Sequence, residues 1–229
     1  MARKTDPVSL AALVGYKYTG LPRGMLLADD AALTEIDDAL QVAERSSDDI
    51  AVVLLRIALG LALVHHDSAD RQRGFDVLAQ LREICIKQGC ALNALPIFDV
   101  YAARETAAHG DLDGAVRQLR AIADEMFETG HLGNVDMATV TFVEALLARG
   151  GDDDLGEAEA AIDRFEYLAV EFPWAARDVA VLRLRALLSQ VHGEEAAYQE
   201  MMERYRAMAT SLGYEGHMKW AEEMAASLG

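Results

Sequence analysis

The chain has 229 residues, 52% of them hydrophobic and only 7% aromatic, enough apolar material to build a sizeable core in a single domain spanning residues 1–229. Its 21 Lys and Arg against 38 Asp and Glu give a net charge of −17, and no basic stripe offsets it, so direct nucleic-acid and anionic-membrane partners are excluded. Two cysteines, Cys85 and Cys90, are too few for a disulfide framework or a zinc site and are expected as reduced, partly buried thiols.

The N-terminus is basic, but the apolar stretch Val8 to Val14 is short and runs into Tyr16-Lys17-Tyr18, so no signal peptide is expected and the protein is placed in the cytoplasm. Pro7–Thr19 and Asp30–Arg45 read as a first pair of helices, Asp48–His65 and Ala69–Gln88 as a second. The longest apolar run, Ile50 to Val64, contains Arg56 and falls short of the ~20 residues of a membrane span. A third pair follows as Leu92–His109 with Leu112–Thr129, a fourth as Val135–Arg149 with Leu155–Phe172, and a fifth as Pro173–His192 with Glu194–Leu212. A last helix, Gly216–Leu228, carries Glu222 and Glu223 on a polar face and would cap the array.

The pairing rests on two interleaved sets of breakpoints. One set is Thr19-Gly20, His66-Asp67, His109-Gly110-Asp111, Gly150-Gly151-Asp152 and His192-Gly193-Glu194; the other is Ser46-Ser47, Gly89, Gly130, Phe172-Pro173 and Gly213. The first repeats at about 41–46 residues and the second at almost the same period, the scale of helical-hairpin repeats. Between stops the apolar residues keep helical spacing, as in Val116, Leu119, Ile122, Ala123, Met126 and Phe127. The fold class expected is therefore all-α, a right-handed superhelix of about five helical hairpins.

The third pair, Ala103-Arg-Glu-Thr-Ala-Ala-His-Gly110-Asp111-Leu112-Asp113-Gly-Ala115, resembles a tetratricopeptide repeat, with a period longer than that family's ~34 residues and closer to MalT-type arrays. Arg183-Leu-Arg-Ala-Leu-Leu, Gly193-Glu-Glu-Ala-Ala-Tyr198 and Tyr205 through Trp220 are similar to the tail of actinobacterial multidomain regulators that join a nucleotidyl cyclase, an AAA-type ATPase and a helical array. The chain has no Walker A pattern and no cyclase aspartates in a strand context, so the resemblance implies a regulatory array without either activity.

The acidic turns Asp111-x-Asp113 and Asp152-Asp153-Asp154 lack the remaining ligands of a calcium loop and read as helix N-terminal caps. The histidines fit no metal motif, and His109, His192 and Arg149 suit helix C-termini. No catalytic residue, metal site or cofactor is expected.

In tetratricopeptide-like stacks the first helix of each pair lines a concave groove. Charged and aromatic residues on those helices are thus the candidate binding residues: Arg56, Asp99, Tyr101, Arg104, Glu144, Trp174, Arg183 and Arg185. Aligning the turns at His66 and His109 sets Arg56 opposite Asp99, which also allows an ion pair between repeats. The expected function is a non-catalytic regulatory module binding a protein, a peptide or a small effector. The alternative is a structural segment of a larger cyclase-ATPase protein. There an apolar face around Leu10, Leu13 and Val14 would favour a homo-oligomer.

Overall fold

The computed structural model describes residues 7–130, 132–168 and 174–226. Among them are eleven α-helices: α1 (Pro7–Tyr18), α2 (Asp30–Ser46), α3 (Asp49–His66), α4 (Arg71–Gln88), α5 (Leu95–Ala108), α6 (Leu112–Thr129), α7 (Val135–Arg149), α8 (Asp154–Glu166), α9 (Ala175–His192), α10 (Glu195–Leu212) and α11 (Glu215–Ala226). Short 3-10 turns at Leu21–Arg23, Leu92–Ala94 and Leu132–Asn134 join some of them, and no strand occurs among the described residues. The chain divides into two compact units, Met1–Phe98 and Asp99–Gly229.

The helix ends follow from side-chain chemistry. Asp29, Asp48 and Asp111 accept hydrogen bonds from the backbone N–H of Ala32, Ala51 and Gly114, which would otherwise lack partners in the first helical turn. At Gly89 the backbone turns left-handed (φ 66°), and the N–H of Cys90 reaches back to the carbonyl of Cys85 at 3.1 Å, closing α4. Gly213 ends α10 in the same way, with Tyr214 N–H on Ala209 O at 3.0 Å.

Three expectations change in detail. Leu92 begins a 3-10 turn and α5 starts at Leu95, one turn later than the periodicity places it. The left-handed Ala91 (φ 47°) reorients the chain there. α8 ends at Glu166, where Tyr167 and Leu168 make turn bonds to Asp163 O and Phe165 O; the breakpoint Phe172-Pro173, the expected start of a helix at Pro173 and the expected end of the last helix at Leu228 lie outside the described residues. Asp153 stands at the N-cap of α8 but makes no side-chain cap bond. Asp154 instead is buried, accepting from the Gly151 N–H at 2.7 Å and pairing with Arg149 at 2.5 Å.

In the first unit α3 is the central helix, packed against α1, α2 and α4. It is long and apolar enough, by length and composition alone, to cross a membrane. Half of it is buried inside the fold, and Leu55, Ala58, Leu61 and Ala62 are wholly covered, so burial by three neighbouring helices accounts for its hydropathy. Glycine lets α3 and α4 approach closely. A Cβ at Gly74 would stand 2.6 Å from the Val64 nitrogen and 2.8 Å from the Gly60 carbonyl oxygen, and one at Gly60 would meet Leu78 Cδ2 at 2.7 Å.

In the second unit α7 packs against α6, α8 and α9, and α10 against α9 and α11. Leu119, Val143, Leu146, Ile162, Phe165 and Leu184 are buried along these contacts. Beyond them Tyr198, Met202, Tyr205, Ala209, Ala221 and Met224 form a core cluster under α11. Two arginines tie the second helices α6 and α8 to their surroundings: Arg120 grips both carboxylate oxygens of Glu157 at 2.5 and 2.6 Å, and Arg149 spans Asp113 (3.2 Å) and Asp154.

Candidate functional site

One face of the second unit gathers residues from four first helices. Glu144, on α7, receives Arg183 of α9, with Nη1 at 2.7 Å, and lies 4.0 Å from Nη1 of Arg104 on α5. The Arg183 guanidinium also lies over the Trp220 ring of α11, 4.9 Å from its centroid, and the Arg104 guanidinium lies 5.7 Å from the Tyr101 centroid. The result is an alternation of cation, anion, cation and aromatic ring. Its charged members are partly covered: 32% of the Arg104 side chain is exposed, 27% of Glu144 and 15% of Arg183. One carboxylate serves two guanidinium groups.

The floor under this stripe is aromatic and polar. The Tyr205 hydroxyl donates to the His217 carbonyl at 3.0 Å and lies 2.9 Å from His217 Nδ1. A hydroxyl that spends its one proton on the carbonyl must accept from Nδ1, so this geometry implies the Nδ1–H form of the ring. His217 meets Trp220 edge-on at 5.0 Å and stacks on Tyr214 at 6.2 Å, while burial pushes the Tyr205 phenol well above its usual range. Trp220 is thereby held from beneath while Arg183 covers one of its faces.

Of the residues singled out from sequence, Tyr101, Arg104, Glu144 and Arg183 come together. Tyr101 is almost wholly buried and supports Arg104 from below. Asp99 lies half-buried on the first turns of α5. Arg185 turns away, to Asp163 and to Glu166 (2.6 Å) on α8. Trp174 sets its ring edge-on against Phe165 at 5.9 Å. Arg56, in the first unit, pairs with Glu44 of α2 at 3.1 Å and is exposed. Its partner is on the second helix of the preceding pair, a contact that alignment of first helices with one another does not consider.

Two further places bear on ligands. His66 ends α3 among carboxylates: Asp70 Oδ2 and Asp67 Oδ2 lie 3.0 and 3.6 Å from Nδ1, and Asp30 Oδ1 lies 3.2 Å from Nε2. By spacing, His66, Asp67 and Asp70 could hold a metal ion. The turn itself also accounts for the arrangement, since Asp67 Oδ1 already accepts the N–H groups of Ala69 and Asp70 at 2.8 and 2.9 Å, and a histidine at a helix C-terminus draws acidic neighbours. The second place is an apolar groove of about 560 Å³ between α1 and α2, lined by Leu10, Ala11, Val14, Ala31, Ala39 and Val42 with Glu35 and Asp38 at its rim. Leu10 is exposed beside it, as are Leu13 and Tyr16 on the same helix, while Val14 is buried.

No protein family matches the chain, and no curated protein does. Two solved structures are similar to it. One is a point variant of a protein of Podosopora anserina described as a kinesin light chain with nearly identical TPR-like repeats: 17% identity over 91% of this chain and 98% of that one, with a TM-score of 0.51. The other is a structure of that protein under the same description, at 18% identity over 90% and 98% of the two chains, with a TM-score of 0.50. At this identity the likeness establishes the fold: an all-helical, tetratricopeptide-like repeat array.

Proposed function

We propose that the chain is a non-catalytic interaction module whose binding face is the Arg104–Glu144–Arg183–Trp220 stripe of the second unit. Its partner is a protein segment that presents a carboxylate and an apolar or planar side chain. The observation that carries this reading is the sharing of Glu144 between two guanidinium groups. A second carboxylate, brought by a partner, would relieve that imbalance, and the half-covered setting would strengthen the contact relative to one in open water. Trp220 offers the flat, amphipathic surface typical of binding hot spots. The resemblance of the C-terminal sequence to arrays of cyclase-ATPase regulators supports a sensor role within signalling, inside the cell.

The test is selection of random peptides on the full chain, followed by titration of the selected peptides against wild type, Arg183→Ala and Trp220→Ala. Acidic peptides are expected to be enriched. Each substitution should weaken binding about ten-fold or more, as loss of a charged or aromatic anchor of ~1.4 kcal/mol or above does. Peptides that bind both variants as tightly as wild type would overturn the assignment of the face.

A second reading rests on the groove between α1 and α2 and on exposed Leu10, Leu13 and Tyr16. An apolar surface of this kind suits self-association, in which the chain acts as a structural segment. Light scattering separates the two: a concentration-dependent dimer abolished by Leu10→Glu supports it, and a monomer at all concentrations contradicts it.

A further inference from the structure

The two cysteines are five positions apart, on either side of the residue that ends α4. In sequence that spacing is unremarked; in the fold it is a consequence of the cap. The left-handed Gly89 returns the chain so that Cys90 N–H bonds to Cys85 O at 3.1 Å, and this motif characteristically brings the side chains at those two positions into contact. Cys85 is wholly buried, Cys90 partly exposed, and both are free thiols. Burial, and then the neighbouring Cys90, push the Cys85 thiol above its usual range.

We propose that Cys85 and Cys90 form a reversible oxidation site, a dithiol that a small disulfide such as oxidised glutathione converts to an intrachain disulfide across the C-cap of α4. The exposed Cys90 reacts first. It gives its proton to water, and its thiolate attacks one sulfur of the oxidant, forming a mixed disulfide and expelling the first thiolate, which takes up a proton. Cys85 then loses its proton to solvent and attacks Cys90 Sγ, which breaks the mixed disulfide and releases the second thiol. Both cysteines are oxidised and the small disulfide is reduced to two thiols. The bond would add a covalent tie to the backbone cap at the end of α4.

The test treats the full native chain with oxidised glutathione and follows free thiols, intact mass and tryptic fragments. Cleavage after Arg82, Lys87 and Arg104 places the cysteines in separate peptides, 83–87 and 88–104. The expected product is a monomer that has lost two hydrogens, with those peptides joined until a reductant is added. Gly89→Val provides the geometric control. A β-branched residue is strained in the left-handed region, so cap formation and ring closure should fall about ten-fold, leaving the glutathione adduct at Cys90. Cys85→Ser should stop at that adduct. A wild-type chain that stops at the adduct or links to a second chain would overturn the proposal. So would Gly89→Val closing the disulfide at the wild-type rate, because sequence proximity rather than the cap would then suffice.

Discussion

Arg183 and Arg185 show what single residues conceal. Both stand on α9 and read alike in sequence, yet one joins Glu144 and Trp220 while the other joins α8. Two positions apart on a helix is about 200° of rotation, so helical spacing already forbids them a common face. Trp220 had no comparable signal: its role depends on where α11 seats against α9 and α10, and neither charge nor periodicity encodes that. His66 carries a prediction at this scale. Burial lowers its pKa, but the hydrogen bond to Asp70 and the charges of Asp67 and Asp30 outweigh it, and the ring titrates above its ordinary value of 6.5. The folded chain therefore binds this proton more tightly than the unfolded chain. The stabilisation is fully present below the unfolded pKa and is lost as pH rises through the folded one. The melting temperature of His66→Gln should fall further below wild type at about pH 5.5 than at about pH 8.5; an equal gap at both would contradict the assigned environment.

At the scale of elements the sequence was most legible. Acidic caps, left-handed glycines and periodic apolar residues place the starts of α2, α6 and α7 at the observed residues, because each cue acts locally on backbone hydrogen bonds that must be satisfied wherever the helix packs. Ends without such a cue were not legible: α8 stops at Glu166 without a glycine, where Tyr167 and Leu168 make turn bonds. The contact of α3 with α4 is likewise invisible until both helices are in place. Gly74 looks like a liability inside a helix, yet there is no room for a methyl group against the Val64 backbone. Gly74→Ala gains helix propensity of ~1 kcal/mol and loses more through overpacking, typically about 1–3 kcal/mol, because backbone yields less than a flexible side chain. A lower melting temperature and denaturant midpoint for Gly74→Ala is the expected outcome; a more stable variant would show that α3 and α4 do not approach this closely.

Across the whole molecule, the repeat pattern carries the fold, and the departures from it carry the proposed site. First helices begin at residues 49, 95, 135, 175 and 215, a near-constant interval that follows from stacking one two-helix unit after another. Within that regularity most charged residues are absorbed by the array: Arg120 and Arg149 hold second helices, and acidic residues cap turns. The proposed face sets a glutamate between two arginines, one of them over a tryptophan ring. Where a partner lands distinguishes the two faces. Hydrogen exchange of the full chain, with and without an acidic peptide selected on it, reads this directly. Slowed exchange in α7, α9 and α11 around Glu144, Arg183 and Trp220 is the predicted result, whereas protection confined to α1 and α2, or none in the second unit, would contradict it.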